Sequence, residues 1–285
     1  MNTHFKYKAI IPIIKGNIYS FIFSQRTICM FIFSFASTFV IVKKFVNILS
    51  IENYSINFLE ALSLFAGSGF NGISMTSLIF LIMIAETPRQ ISFQQYSLIR
   101  VNRSFWCFAQ VVYCCFTVVI MMIIIIGQSC IFLQPYTNFN SNWSDALRID
   151  SGMDPALALV PQWIRVKFSP FQIFFLSLLP IFFFWFTMVL IVLMFSILGA
   201  PNIGIALYAF ILFSDLIFPF ELFPKIQSPI IFSNFFRISH NHENEVMTRL
   251  NIVLGGYVCI IILLVLTIMK KTRKLEIRTY SIYKE

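Results

Sequence analysis

The chain has 285 residues, of which 58% are hydrophobic, 17% are aromatic and only 12% are charged. A typical soluble domain carries about a quarter charged residues, so this composition excludes an ordinary soluble enzyme. The formal net charge is +9, but no nucleic-acid-binding motif accompanies it. We expect this charge to reflect membrane topology and attraction to anionic lipid, and we expect no nucleic-acid partner.

Long uncharged runs dominate the chain. They cover residues 27–42, 61–85, 104–144, 168–214 and 250–269, with lengths of 16, 25, 41, 47 and 20 residues. A membrane-spanning helix needs about 20 apolar residues. In lipid, such runs can satisfy their backbone hydrogen bonds only as helices. We therefore predict an all-α, polytopic membrane protein that lies in the lipid bilayer of the cell membrane.

Two of these runs decide the number of spans. The longest is broken near Gly199 and Pro201, which indicates two helices, because proline removes a backbone donor and glycine relaxes the chain. The run that starts at residue 104 loses its apolar character after Gly127, which favours one span followed by a polar loop. The six predicted spans cover about residues 27–49, 63–85, 105–127, 170–197, 202–220 and 250–269.

The distribution of basic residues predicts the orientation. If both termini are cytoplasmic, 13 lysines and arginines lie inside and 8 lie outside, as the positive-inside rule favours. Eight acidic residues, Glu60 among them, then lie on the outer side. Residues 1–26 form a cytoplasmic or interfacial segment in this arrangement, and residues 270–285 form a basic cytoplasmic tail.

Few residues in or near the predicted spans have side chains that could act in catalysis, proton transfer or metal binding. Asp215 is the one acid inside a predicted span, about a turn from its outer end, where a headgroup contact is favoured over a proton relay or a substrate contact. His240, His242 and Glu245 have metal-ligand side chains, but they lack the i, i+4 pair of histidines found in helical zinc motifs, so they are weak candidates. We predict no catalytic residue, no metal and no cofactor in this chain.

The cytoplasmic link between the second and third spans has the signals of a short helix. Thr87 can cap it, Pro88 suits its first position and Gln90 completes a capping box, which predicts a helix over about residues 87–104. This helix carries both apolar and basic residues, so it could dock a cytoplasmic partner or lie on the lipid headgroups. Residues 8–26 have a similar mixture and predict an interfacial helix before the first span.

This layout resembles the permease subunits of type-two ATP-binding-cassette exporters, in a divergent form found in Gram-positive bacteria. The local matches are Glu86-Thr87-Pro88, the segment from Arg100 to Trp106, Asn142-Trp143-Ser144 and Ser228-Pro229. Related sequences often have Asp at the end of the second span, where this chain has Glu86.

The resemblance implies a transport subunit that is not itself an enzyme. A second permease chain, identical or a sister subunit, would complete the pathway for an amphipathic or peptide-like substrate. A separate cytoplasmic ATPase would bind ATP and Mg and press on the helix at residues 87–104. The residues implied for this contact are Thr87, Arg89, Arg100 and Arg103, and those implied for an outer gate are Asp215, Glu221 and Arg237.

Two other classes of function stay open on the sequence alone. One is an integral-membrane enzyme that acts on lipid or peptide through Asp145, Asp150, Asp154 or the histidines near residue 240. The other is a membrane protein for immunity or sensing that binds a peptide without transporting it. A neighbouring gene for a nucleotide-binding subunit would separate transport from both alternatives.

Overall fold

A computed structural model describes residues 10–52, 55–60, 73–85, 103–138, 142–144, 162–217 and 243–273. Helices make up about 90% of these residues, which confirms that the chain is mostly helical. The described α-helices are α1 (Ile10–Ile22), α2 (Gln25–Glu52), α3 (Ile73–Ile84), α4 (Arg103–Leu133), α5 (Gln162–Lys167), α6 (Pro170–Ile197), α7 (Pro201–Ile217) and α8 (Glu243–Arg273). Single 3-10 turns lie at Phe58–Glu60 and Gln134–Tyr136. Two short strands, β1 (Ile56–Asn57) and β2 (Thr137–Asn138), pair in parallel.

Three to four of these helices are long and apolar enough to cross a membrane. Three qualify singly, over Arg103–Tyr136, Pro170–Ile197 and Leu250–Thr272. A fourth is the pair Ile11–Ile22 and Gln25–Val40 if it counts as one span, although the two helices meet at an angle of 56°. Shorter apolar helices cover Met75–Ile84 and Pro201–Phe213, where two further spans are predicted. Residues 61–72 and 218–242, which belong in part to those spans, lie outside the described residues.

The helix of the predicted third span continues past the point where the sequence becomes polar. α4 extends through Gln128 to Leu133 rather than ending near Gly127. The amide of Gln128 is satisfied by α2, because its Nε2 donates to Ser34 Oγ at 3.0 Å and its Oε1 accepts from Thr38 Oγ1 at 3.3 Å. A buried polar side chain with such partners does not end a helix in apolar surroundings.

α6 lies at the centre of the bundle, where it contacts α3, α4, α7 and α8. Of its apolar stretch, 56% is buried inside the protein, compared with 11% for α8. Trp185 on α6 donates from Nε1 to Ser77 Oγ at 2.7 Å, and the Tyr208 hydroxyl on α7 donates to the Ser77 carbonyl at 3.1 Å. Ser77 on α3 therefore joins three helices through hydrogen bonds, and α8 leaves most of its apolar surface for lipid or a partner chain.

A sharp turn joins α6 to α7 and lets the two helices pack closely. Gly199 in the turn has a φ of +80°, a left-handed conformation that glycine adopts without strain. One turn into α7, a Cβ placed on Gly204 would lie 3.0 Å from Phe195 Cβ and 3.1 Å from Val192 Cα. Because Gly204 has no Cβ, α7 can approach the backbone of α6 closely.

We expect Gly204→Ala to lower the free energy of unfolding by roughly 1–3 kcal/mol, the usual penalty for overpacking, because the added methyl group meets the backbone at Val192. Gly255→Ala is the matched control, since a Cβ there has nothing within 4 Å. Thermal unfolding in detergent measures both variants. Equal midpoints for the two variants would contradict the close approach of α6 and α7.

Candidate functional site

The structure describes only part of the residues to which the sequence assigns a role. Arg103 is the first residue of α4 and is half-buried. Asp215 lies in α7 and Glu245 lies in the first turn of α8. The other predicted residues, Thr87, Arg89, Arg100, Glu221, Arg237, His240 and His242, lie outside the described residues. The coupling contact, the outer gate and the weak metal site therefore stay predictions.

The structure places one acidic side chain, Glu60, in the protein interior, which the sequence analysis did not predict. Its side chain is 0% exposed, whereas the sequence grouped it with the acids of the outer loops. It stands in the 3-10 turn that follows β1, and this turn packs against α6. A buried carboxylate in an apolar protein persists only with hydrogen-bond partners, so its surroundings define a candidate site.

Among the described residues, two segments of the chain donate hydrogen bonds to the carboxylate of Glu60. The backbone N–H of Ser144 donates to Oε1 at 2.8 Å, and the Ser144 hydroxyl donates to Oε2 at 2.5 Å. The backbone N–H of Asn57 also donates to Oε2, at 3.2 Å. Hydrogen bonds to an ionised carboxylate are shorter and stronger than those between neutral groups. Glu60, Asn57 and Ser144 are called the Glu60 site below.

Further hydrogen bonds connect the Glu60 site to the ends of the long helices. Asn57 Nδ2 donates to the Asn142 carbonyl at 2.9 Å, and β1 pairs with β2 just after the end of α4. Trp143 donates from Nε1 to the Phe168 carbonyl at 2.9 Å, two residues before α6 starts. These contacts thus hold the segments that follow α2 and α4 against the start of α6.

The geometry of the Glu60 site indicates a structural role, in which the carboxylate fixes neighbouring segments of the chain to one another. Its carboxylate oxygens already accept hydrogen bonds from groups of the same chain, and Ser144 is itself buried. Among the described residues, no group of three or more His, Cys, Asp or Glu side chains comes together as a metal site would require. All six cysteines are free thiols.

No protein-family model, no curated protein and no solved structure matches the chain. The function must therefore be argued from the residues of this chain and from their packing.

We expect Glu60→Gln to lower the free energy of unfolding by roughly 1–3 kcal/mol, because an amide nitrogen would face the N–H groups that now donate to the carboxylate. Ser144→Ala should have a smaller effect, since it removes only one donor. Asn138→Ala is the control, because that side chain is exposed at the end of β2. The measurement is the thermal unfolding midpoint in detergent, and a midpoint for Glu60→Gln equal to that of the control would rule out the anchoring role.

Proposed function

We propose that this chain is the membrane-spanning permease subunit of an ATP-binding-cassette exporter. It would cross the cell membrane six times with both termini in the cytoplasm, and it would move an amphipathic or peptide-like substrate. The observation that supports this proposal is the packing around the first turns of α4. These turns follow directly on the segment that the resemblance assigns to the ATPase contact.

The first turns of α4 contact two other helices. Ala109 packs with Ile13 of α1 in a small buried cluster. The rings of Tyr113 and Phe21 have their centres 6.2 Å apart. On another side, α4 packs against α8, and the Cys107 side chain lies close to Thr272 near the end of α8. A displacement at the start of α4 therefore reaches α1 and α8 directly.

This packing suits the transmission of force from a motor subunit. Protein interiors are close-packed and transmit strain, so pressure on the segment at residues 87–104 would tilt α4 together with its neighbours. The hydrogen bonds of Gln128 would carry the movement on to α2 at the far end of α4. The Glu60 site would hold the opposite end of the bundle closed against this movement.

Energy and the complete pathway would come from partner chains. ATP and Mg would bind to the separate ATPase, with Thr87, Arg89, Arg100 and Arg103 as the contact residues of this chain. A second permease chain would face the transport route, with Asp215, Glu221 and Arg237 near its outer opening. The exposed apolar surface of α8 has room for both lipid and such a partner.

The coupling contact predicts a charge-reversal phenotype. Arg100→Glu combined with Arg103→Glu should leave membrane insertion intact but reduce recovery of the ATPase when the complex is purified in detergent, because like charges would replace the docking contact. Lys167→Glu is the matched control, since this exposed lysine lies near the start of α6 at the opposite end of the bundle. Undiminished recovery of the ATPase from the double variant would argue against the docking role.

The proposed orientation is tested by labelling single cysteines in a background without the native ones. A cysteine at position 244 should react with a membrane-impermeant maleimide added to intact cells, because the proposed topology places the start of α8 outside. A cysteine at position 274 should react only after the membrane is permeabilised. The reverse pattern, or equal labelling of both, would refute a cytoplasmic C-terminus.

A further inference from the structure

The first turns of α4 carry two buried side chains, Trp106 and Gln110, whose polar atoms have no hydrogen-bond partner among the described residues. Gln110 is 0% exposed, and neither its Nε2 nor its Oε1 forms a hydrogen bond within the described part of the chain. Trp106 is 3% exposed, and its Nε1 also has no partner among the described residues. Buried polar groups are almost always paired, so each exception requires an explanation.

A second buried glutamine on the same helix has hydrogen-bond partners and so avoids the free-energy cost of an unpaired amide. Gln128 is as buried as Gln110, but its amide is paired with Ser34 and Thr38 of α2. The unpaired amide of Gln110 makes folding less favourable, and an apolar side chain of similar size would avoid this. Polar groups kept inside a membrane protein at such expense in stability mark functional positions.

Trp106 and Gln110 lie where three helices meet. Successive residues of a helix are separated by about 100°, so these two side chains, one turn apart, share one side of α4. On one flank of that side are Ala109 and Tyr113, which face α1. On the other flank is Cys107, which faces α8. The polar groups of Trp106 and Gln110 therefore lie at the junction of α1, α4 and α8.

The described charged residues at the ends of α4 and α8 that meet here are basic. Arg103 starts α4, and Lys270 and Lys271 are exposed in the last turn of α8. No acidic residue occurs in α1, in α4 or in the last two turns of α8. An anion is thus favoured at this junction, and basic sites between membrane helices are suited to anionic lipid headgroups.

We propose that the junction of α1, α4 and α8 binds the headgroup of an anionic phospholipid that carries hydroxyl groups, of the phosphatidylglycerol type. Trp106 Nε1 and Gln110 Nε2 donate to phosphate oxygens, and a headgroup hydroxyl donates to Gln110 Oε1. The lysines offset the phosphate charge. The acyl chains lie along the exposed apolar surface of α8, which includes Ile262 and Leu266.

Entry of a headgroup requires a movement of a neighbouring helix, because Gln110 is enclosed. α1 would be the helix that moves, because the break at Phe23 and Ser24 separates it from α2. The lipid site does not depend on the proposed transport function. It would, however, couple the occupancy of a lipid site to the position of α4.

The test uses the purified full-length chain and native mass spectrometry in detergent with added phosphatidylglycerol. We expect the wild-type chain to retain one phosphatidylglycerol specifically, and Gln110→Leu to weaken this binding about tenfold or more through the loss of hydrogen bonds to a charged group. Trp106→Phe should weaken it less. Gln128→Leu is the matched control: it should keep the lipid while its unfolding midpoint falls.

Three comparisons with other ligands distinguish a specific phosphatidylglycerol site from nonspecific attraction of an anion to basic residues. Phosphatidylcholine, which is neutral overall and has no hydroxyl in its headgroup, should not be retained. Phosphatidic acid, which has the phosphate but no headgroup hydroxyl, should bind more weakly than phosphatidylglycerol. Excess inorganic phosphate should not displace the lipid, whereas displacement would show that the site takes the free anion instead.

The proposal is overturned if Gln110→Leu retains phosphatidylglycerol as the wild-type chain does, or if all the lipids are retained equally. A fold defect is distinguished by the unfolding midpoint in phosphatidylcholine micelles. The midpoint of Gln110→Leu should equal or exceed that of the wild-type chain there, because the variant removes an unpaired amide. A lower midpoint would mean that Gln110 has a structural partner, and it would also refute the lipid site.

Discussion

Polar side chains enclosed among apolar helices must find hydrogen-bond partners within the protein, and this constraint shapes the bundle. In a bilayer, lipid tails would offer no hydrogen bonds and no hydrophobic force between helices, so packing and polar contacts would hold the helices together. Contacts of this kind in the described residues include those of Gln128 with Ser34 and Thr38, of Ser77 with Trp185 and Tyr208, and of Glu60 with Asn57 and Ser144. They join α2 to α4, α3 to α6 and α7, and the connecting segments to one another.

The two ends of the bundle differ in character because these contacts are unevenly placed. At one end, the Glu60 site and the bond from Trp143 to Phe168 tie together the segments that follow α2 and α4. At the other end, α4 packs against α1 and α8 and carries the unpaired polar groups of Trp106 and Gln110. Both the proposed coupling to an ATPase and the proposed lipid site use the end at which Trp106 and Gln110 are unpaired among the described residues.

Patterns within single segments predicted the helices well and their polar contacts poorly. The break between α6 and α7 follows from Gly199 and Pro201, whose backbone properties act locally. The end of α4 was placed about six residues too early, because the polarity of Gln128 looks like a loop signal unless its partners on α2 are known. The sequence groups Glu60 with the acids of the outer segments for the same reason, since nothing near it in the sequence indicates that Ser144 lies against it.

The sequence by itself determined that the chain is helical and apolar enough for a membrane. The length and the charge content of an apolar run are local properties, and they decide whether a helix can cross a bilayer. The tertiary structure decided which polar groups pair. Ser144 and Glu60 are 84 residues apart, Gln128 and Ser34 are 94 apart, and Trp185 and Ser77 are 108 apart. Contacts over such separations depend on how helices cross and rotate against one another, and no periodicity within a single helix specifies that.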